Sequence, residues 1–136
     1  MKKRIVIIYK SYLGTTKQYA DWLTESLNAD EFTFNDFSEN DFEKYETFII
    51  MSGTYAGQMP LAKYLTKNWS RLFGKQVIAV SVGFIPNEKA ESQRVYCTIP
   101  KNIRDKVAYT KLPGKILEVN KKNIKIENIN EIIKLL

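Results

Sequence analysis

Histidine is absent from the sequence, and cysteine occurs once, at Cys97. A lone thiol excludes an intramolecular disulfide. Without histidine, the common zinc clusters and the serine–histidine or cysteine–histidine nucleophilic pairs have no ligand or base. Cys97 itself has no histidine to activate it and is expected to be structural. Paired catalytic carboxylates at a recognisable spacing are lacking too, so any redox or group-transfer chemistry must come from a bound cofactor. Long apolar runs are missing: Ile5 to Tyr9 gives way to Lys10, and nothing approaches the roughly 20 residues that cross a bilayer. The basic opening from Met1 to Arg4 is not expected to act as a secretory signal, because the apolar stretch behind it is too short. The four prolines and six glycines form no linker-like cluster, and there is no repeat or low-complexity tract. The 136 residues are therefore expected to form a single domain in a reducing cytoplasm.

What is present is a substantial core composition, 44% hydrophobic with 12% aromatic. Lys3 to Tyr9 carries a β-branched run too short for a helix and predicts a strand. Thr16, Ala20, Leu23 and Leu27 then share one helical face. Further strands are expected at Phe32–Phe34, Thr47–Met51 and Gln76–Val82. Pro60 opens a helix that carries Leu61, Leu65, Trp69 and Leu72 on its apolar side and runs down to Gly74. After Gly83 the signals weaken. Short helical turns are expected at Glu88–Tyr96 and Pro100–Lys106, a fifth strand from Val107 to Tyr109 that resumes at Ile116–Val119, and a closing helix over Asn128–Leu136. Strands alternating with helices predict a parallel α/β sheet covered on both faces.

The net charge is +6, unevenly spread: residues 21–46 hold nine acids against one base, and residues 101–136 nine bases against four acids. Such a dipole steers docking to charged partners. The bases are dispersed and accompany no nucleic-acid motif, so nucleic acid is not expected as a partner.

In an open α/β sheet, ligands collect beyond the carboxyl ends of the strands. Lys10 to Thr16 combines free amides at a helix start with the hydroxyls of Ser11, Thr15 and Thr16, a combination suited to a phosphate. Gly14 is expected to leave the phosphate's space free of a side chain. The glycine fingerprints of dinucleotide folds and of triphosphatases are absent, as are the acids of a phosphoacceptor receiver. A terminal phosphomonoester fits best.

The pattern Ile7-Ile8-Tyr9-Lys10-Ser11-x-x-Gly14-x-Thr16-x-x-x-Ala20-x-x-Leu23 resembles the flavodoxin signature at every defined position. The resemblance implies an open, doubly wound sheet of five parallel strands in the order 2-1-3-4-5. It also implies an FMN phosphate surrounded by Ser11, Tyr12, Leu13, Gly14, Thr15 and Thr16. Leu13 departs from the threonine that many flavodoxins place there. SGTYAGQMP, residues 52–60, is similar to the family's second flavin loop, which brings in Ser52, Gly53, Thr54, Tyr55, Ala56 and Gly57. SVGF, residues 81–84, is similar to the third, with Val82, Gly83 and Phe84. Tyr55 is the first choice for the contact with the flavin ring. Phe84 either joins it or plugs the core. Gly57 has the freedom to reverse its peptide when flavin N5 gains a proton. Trp69 is expected in the core, and Trp22 at a hydrophobic edge or a partner surface.

Three functions follow. The first is an FMN-dependent electron-transfer protein or small flavin oxidoreductase. The second rests on YKSYLGTTKQYADWL, GTYAGQMPLAKYLTKN and IPKNIRDKV, which resemble short flavodoxin-domain proteins that include menaquinone-dependent protoporphyrinogen IX dehydrogenase. That reading implies quinone and porphyrinogen as partners and at most peripheral membrane contact. LEVNKKNIKIEN is brief, however, where the dehydrogenase carries a long extra segment. The third is a flavin-free module that binds another protein. The basic balance implies redox partners unlike those of the usually acidic flavodoxins.

Overall fold

The computed structural model describes residues 4–55, 57–85, 89–115 and 121–136. Five strands, β1 (Ile5–Lys10), β2 (Asp30–Thr33), β3 (Thr47–Gly53), β4 (Gln76–Gly83) and β5 (Ala108–Pro113), pair in parallel in the order β2-β1-β3-β4-β5. Every residue of β3 is buried, which explains its unbroken apolar run: successive side chains point to opposite faces, and both faces are covered. Ile7, Ile49, Ile78 and Val80 face one layer, with Tyr19, Ala20 and Leu23 of helix α1 (Thr15–Leu27) and with Ile129 and Ile132. Val6, Ile8, Phe48 and Ile50 face the other, with Leu61, Leu65 and Leu72 of α2 (Pro60–Leu72). Each fully buried aliphatic side chain stabilises the fold by about 1.5–3 kcal/mol relative to exposure.

The smaller helices α3 (Ala90–Tyr96), α4 (Lys101–Arg104) and α5 (Asn130–Ile133) complete the layers. Because β1 lies between β2 and β3, the chain leaves the sheet centre in both directions. The carboxyl ends of β1 and β3, Lys10 opposite Ser52, therefore frame a crevice.

Several boundaries differ from the sequence expectation. The first strand begins later, at Ile5, and includes Lys10. The second starts at Asp30 and ends at Thr33. Phe34 leaves it to pack against Tyr64, ring centroids 4.3 Å apart, although its amide still donates to the Tyr9 carbonyl at 2.9 Å. The fifth strand runs without interruption to Pro113, a residue tolerated at the end of an edge strand. Its expected continuation at Ile116–Val119 lies outside the described residues. The closing helix is a 3-10 turn, Ile126–Ile129, running into α5. Trp69 is only partly buried against the core, and Trp22 packs edge-on against Tyr19. Cys97 is exposed, with the Arg104 guanidinium 3.8 Å from its sulfur, so it fills no place in the core.

Candidate functional site

Helix α1 begins directly where β1 ends. Gly14 caps it with φ +89°, a conformation that L side chains rarely adopt, and its carbonyl accepts the first intrahelical bond, from Gln18 at 3.0 Å. The amides of Thr15, Thr16 and Lys17 precede that bond and have no intrahelical acceptor. Ser11 Oγ accepts the Gly14 amide at 3.1 Å, which closes the loop. Thr15 Oγ1 is buried and has no hydrogen-bond partner among the described residues. The first turn of α1 carries no acidic residue, and Lys17 is paired with Asp21 at 2.8 Å. An orphaned hydroxyl and free amides at the positive end of a helix dipole suit an anion. A Cβ at Gly14 would meet nothing within 4 Å. The glycine is needed for its backbone angle, and the space beside its Cα is open, as a phosphate seated there requires.

From this loop a cavity of about 310 Å³ runs along the carboxyl ends of β3, β4 and β5. Ser11, Leu13, Thr15 and Thr16 line its α1 end. Gly53 comes from the end of β3, Thr54, Tyr55 and Gly57 from the loop behind it, and Val82, Gly83 and Phe84 from the end of β4. Tyr55 and Gln58 exchange backbone hydrogen bonds of 2.7 and 2.9 Å across a tight turn in which Gly57 has φ +79°. This turn aims the Tyr55 ring back over Gly53, where a Cβ would collide with it. Burial raises the Tyr55 phenol above its ordinary pKa, while the Tyr12 amide draws it part of the way back. Phe84 belongs to neither core layer and is 38% exposed, so it is a cavity wall and not a plug.

Three expected residues are turned elsewhere. Tyr12 is 60% exposed and packs its edge on Tyr55, centroids 4.6 Å apart, outside the cavity lining. Gly14 acts through the backbone. Ser52 is fully buried, and its hydroxyl accepts the Leu61 amide at 3.0 Å, holding the start of α2. Ala56 lies outside the described residues. The cavity also recruits residues the sequence reading did not name: Ile85, Glu91, Ser92 and Val95 beside α3, and Lys111, Gly114 and Lys115 at the end of β5. The Gly114 amide donates to the Gly83 carbonyl at 2.8 Å, which draws β5 against this end of the cavity.

A second, wider groove of about 490 Å³ lies on the other side of Lys10, walled by the Phe34–Tyr64 pair and flanked by Lys63 and Lys67. Among the described residues no group of histidine, cysteine, aspartate and glutamate could hold a metal ion, and no helix is long and apolar enough to cross a membrane.

The family model described as the flavodoxin domain matches residues 6–134. The chain belongs to the flavodoxin domain family. Among solved structures, it is similar to a flavodoxin from the domain Archaea, with 20% identity, 97% of this chain and 98% of that chain covered, and a TM-score of 0.64. A WrbA-like flavodoxin from Agrobacterium tumefaciens has 13% identity, coverage of 98% and 96%, and a TM-score of 0.67. A flavoprotein from Lactobacillus acidophilus, solved in complex with FMN, has 16% identity, coverage of 88% and 98%, and a TM-score of 0.58. At these identities the likeness shows the flavodoxin fold. Curated proteins yield no significant match, and the narrower likeness to protoporphyrinogen IX dehydrogenases gains no support from these comparisons.

Proposed function

We propose that this flavodoxin-domain protein binds FMN and transfers electrons between redox partners. The observation that carries the reading is the unpartnered, buried Thr15 hydroxyl beside the free amides of α1, at one end of a cavity that Tyr55 and Phe84 also line. FMN supplies one- and two-electron chemistry when bound. The family match and the FMN-bound flavoprotein of L. acidophilus support that choice of cofactor.

Each part of the cavity then has a task. The amides of Thr15, Thr16 and Lys17, with the Ser11 and Thr15 hydroxyls, hold the phosphate, each charge-assisted bond contributing about 1.5–3 kcal/mol. Tyr55 and Phe84 cover the ring and exclude water, and Gly57 leaves a peptide free to adjust beside it. The outward position of Tyr12 against Tyr55 keeps an aromatic edge open to a partner. Lys10, whose ammonium lies 5.3 Å from the Tyr12 ring centroid, and Lys63 and Lys67 of the second groove favour an acidic redox partner. The chain is read as one domain over residues 1–136, and the exposed, unpaired Cys97 suits a cytoplasmic setting.

Purified protein should be yellow and should release FMN, not riboflavin or FAD, on mild acid treatment. Colourless protein that takes up no added FMN would overturn the reading in favour of a flavin-free binding module. A second reading, dehydrogenation of protoporphyrinogen with a quinone acceptor, is favoured by the lysine-flanked aromatic groove, which suits a largely apolar macrocycle bearing carboxylates. Absence of turnover by the flavin-loaded protein with both substrates removes it.

A further inference from the structure

Lys111 lies on β5 opposite Ser81 of β4, and its side chain reaches across the end of β4 into the cavity. Gly83 makes that passage: a Cβ there would stand 2.9 Å from Lys111 Cε and 3.2 Å from Nζ. The ammonium ends at Ser92 of α3, donating to its Oγ at 2.6 Å, while the Ser92 hydroxyl donates to the Ile85 carbonyl at 3.2 Å. With the hydroxyl proton committed, the serine offers its lone pairs to the lysine and fixes its position. Lys111 has no ion pair among the described residues. Glu91, on the cavity lining, is the acid whose field reaches it, and Lys115 is a second cation on the same lining. Burial pulls the Lys111 ammonium below its ordinary pKa, and Glu91 opposes that pull.

Parallel strands lie about 4.8 Å apart. With β3 between β1 and β4, an ammonium lying over β4 is roughly 10 Å from the β1–α1 loop in the plane of the sheet. The charge is therefore at the ring end of the cavity, beside Phe84 and Thr54, and not at the phosphate end.

We propose that Lys111 is a charge-tuning residue, whose half-buried ammonium, held by Ser92 in the gap left by Gly83, favours the reduced, electron-rich flavin over the oxidised one. The inference rests on the FMN reading above. Positive charge near the ring's polar atoms is one of the few means a protein has of shifting flavin electronics. A partly desolvated cation acts there with little screening.

The test compares FMN-loaded wild type with Lys111→Met, which keeps the length without the charge, and Lys111→Arg, which keeps the charge. The dissociation constant of oxidised FMN and the two-electron midpoint potential are measured for each. Lys111→Met should shift the ratio of oxidised- to reduced-flavin affinity at least tenfold towards the oxidised form, which lowers the midpoint by about 30 mV for a two-electron couple. Lys111→Arg should stay near wild type. A midpoint unchanged in Lys111→Met overturns the proposal while leaving FMN binding intact. Should Lys111→Met fail to retain flavin, Lys111→Gln takes its place in the same measurement; loss of oxidised FMN from both folded variants identifies Lys111 as a simple binding residue and overturns the tuning role. A wild type that binds no FMN defeats the functional reading itself, and is recognised before any variant is measured.

Discussion

Replacing Thr15 by valine changes the protein in two opposite directions. Valine has nearly the shape of threonine and the same branching at Cβ, so the first turn of α1 and the packing at residue 15, only 8% exposed, are kept. What disappears is a hydroxyl that is buried without a partner when no ligand is bound. A buried polar group left unsatisfied costs about 1–3 kcal/mol, so the flavin-free variant should be at least as stable as wild type and gain up to about that amount. In the proposed flavin-bound state the same hydroxyl would donate to a phosphate oxygen. Its loss removes about 1.5–3 kcal/mol, a roughly ten- to hundredfold weaker dissociation constant. Urea unfolding of flavin-free protein gives the first quantity, and fluorescence titration with FMN gives the second. A variant that is less stable without flavin and binds FMN as tightly as wild type would show that the hydroxyl is part of the scaffold, and the assignment of the anion site would fail.

Three further outcomes test neighbouring parts of the account. Gly14→Ala should lower stability by about 1–2 kcal/mol because of its left-handed backbone, with no clash to relieve; an unchanged urea midpoint would contradict this. Ser52→Ala should destabilise the fold by about 1–3 kcal/mol, since the buried Leu61 amide loses its acceptor, while FMN affinity at saturating folded protein stays the same; a selective loss of affinity would return Ser52 to the binding site. Glu31 is raised to about 7 by burial and by its hydrogen bond with Asp21, whose own carboxyl is lowered. The folded state therefore holds a proton that the unfolded state releases near the ordinary carboxyl value of 4.5, and stability should fall as pH rises from about 4.5 to 7. Glu31→Gln should flatten that slope in urea midpoints; an equally steep slope in the variant would assign the effect elsewhere.

The order of strands was implied by the resemblance to the flavodoxin signature, and the first loop was legible because it depends on local signals. The β-branched run Ile5–Ile8, the hydroxyl-rich turn behind it and the spacing of Ala20 and Leu23 all lie within one βα unit. Side-chain direction was less legible. Ser52, near the end of β3, and Tyr55, in the loop behind it, stand three residues apart, yet one is spent on the start of α2 and the other covers Gly53. That division depends on the turn closed by Tyr55 and Gln58, which the residue types alone do not specify. Lys111 and Ser92 were invisible for a different reason. They are 19 residues apart and meet only because β5 pairs in parallel with β4 and a glycine clears the path between them. The segment after Gly83 is short in helices and weak in pattern, so no periodicity announced which of its polar side chains would turn inward. Cys97 was assigned to the structure by its lack of an activating partner, and its exposure follows from its position at the end of the seven-residue α3.

The central claim is that an anion seated on the start of α1 anchors the ligand. Titration of flavin-free protein with FMN and with riboflavin, which differ only in the phosphate, tests it most directly. Several charge-assisted bonds of about 1.5–3 kcal/mol each require FMN to bind at least a hundredfold more tightly. Equal affinity for the two flavins, or affinity for neither, would contradict the account.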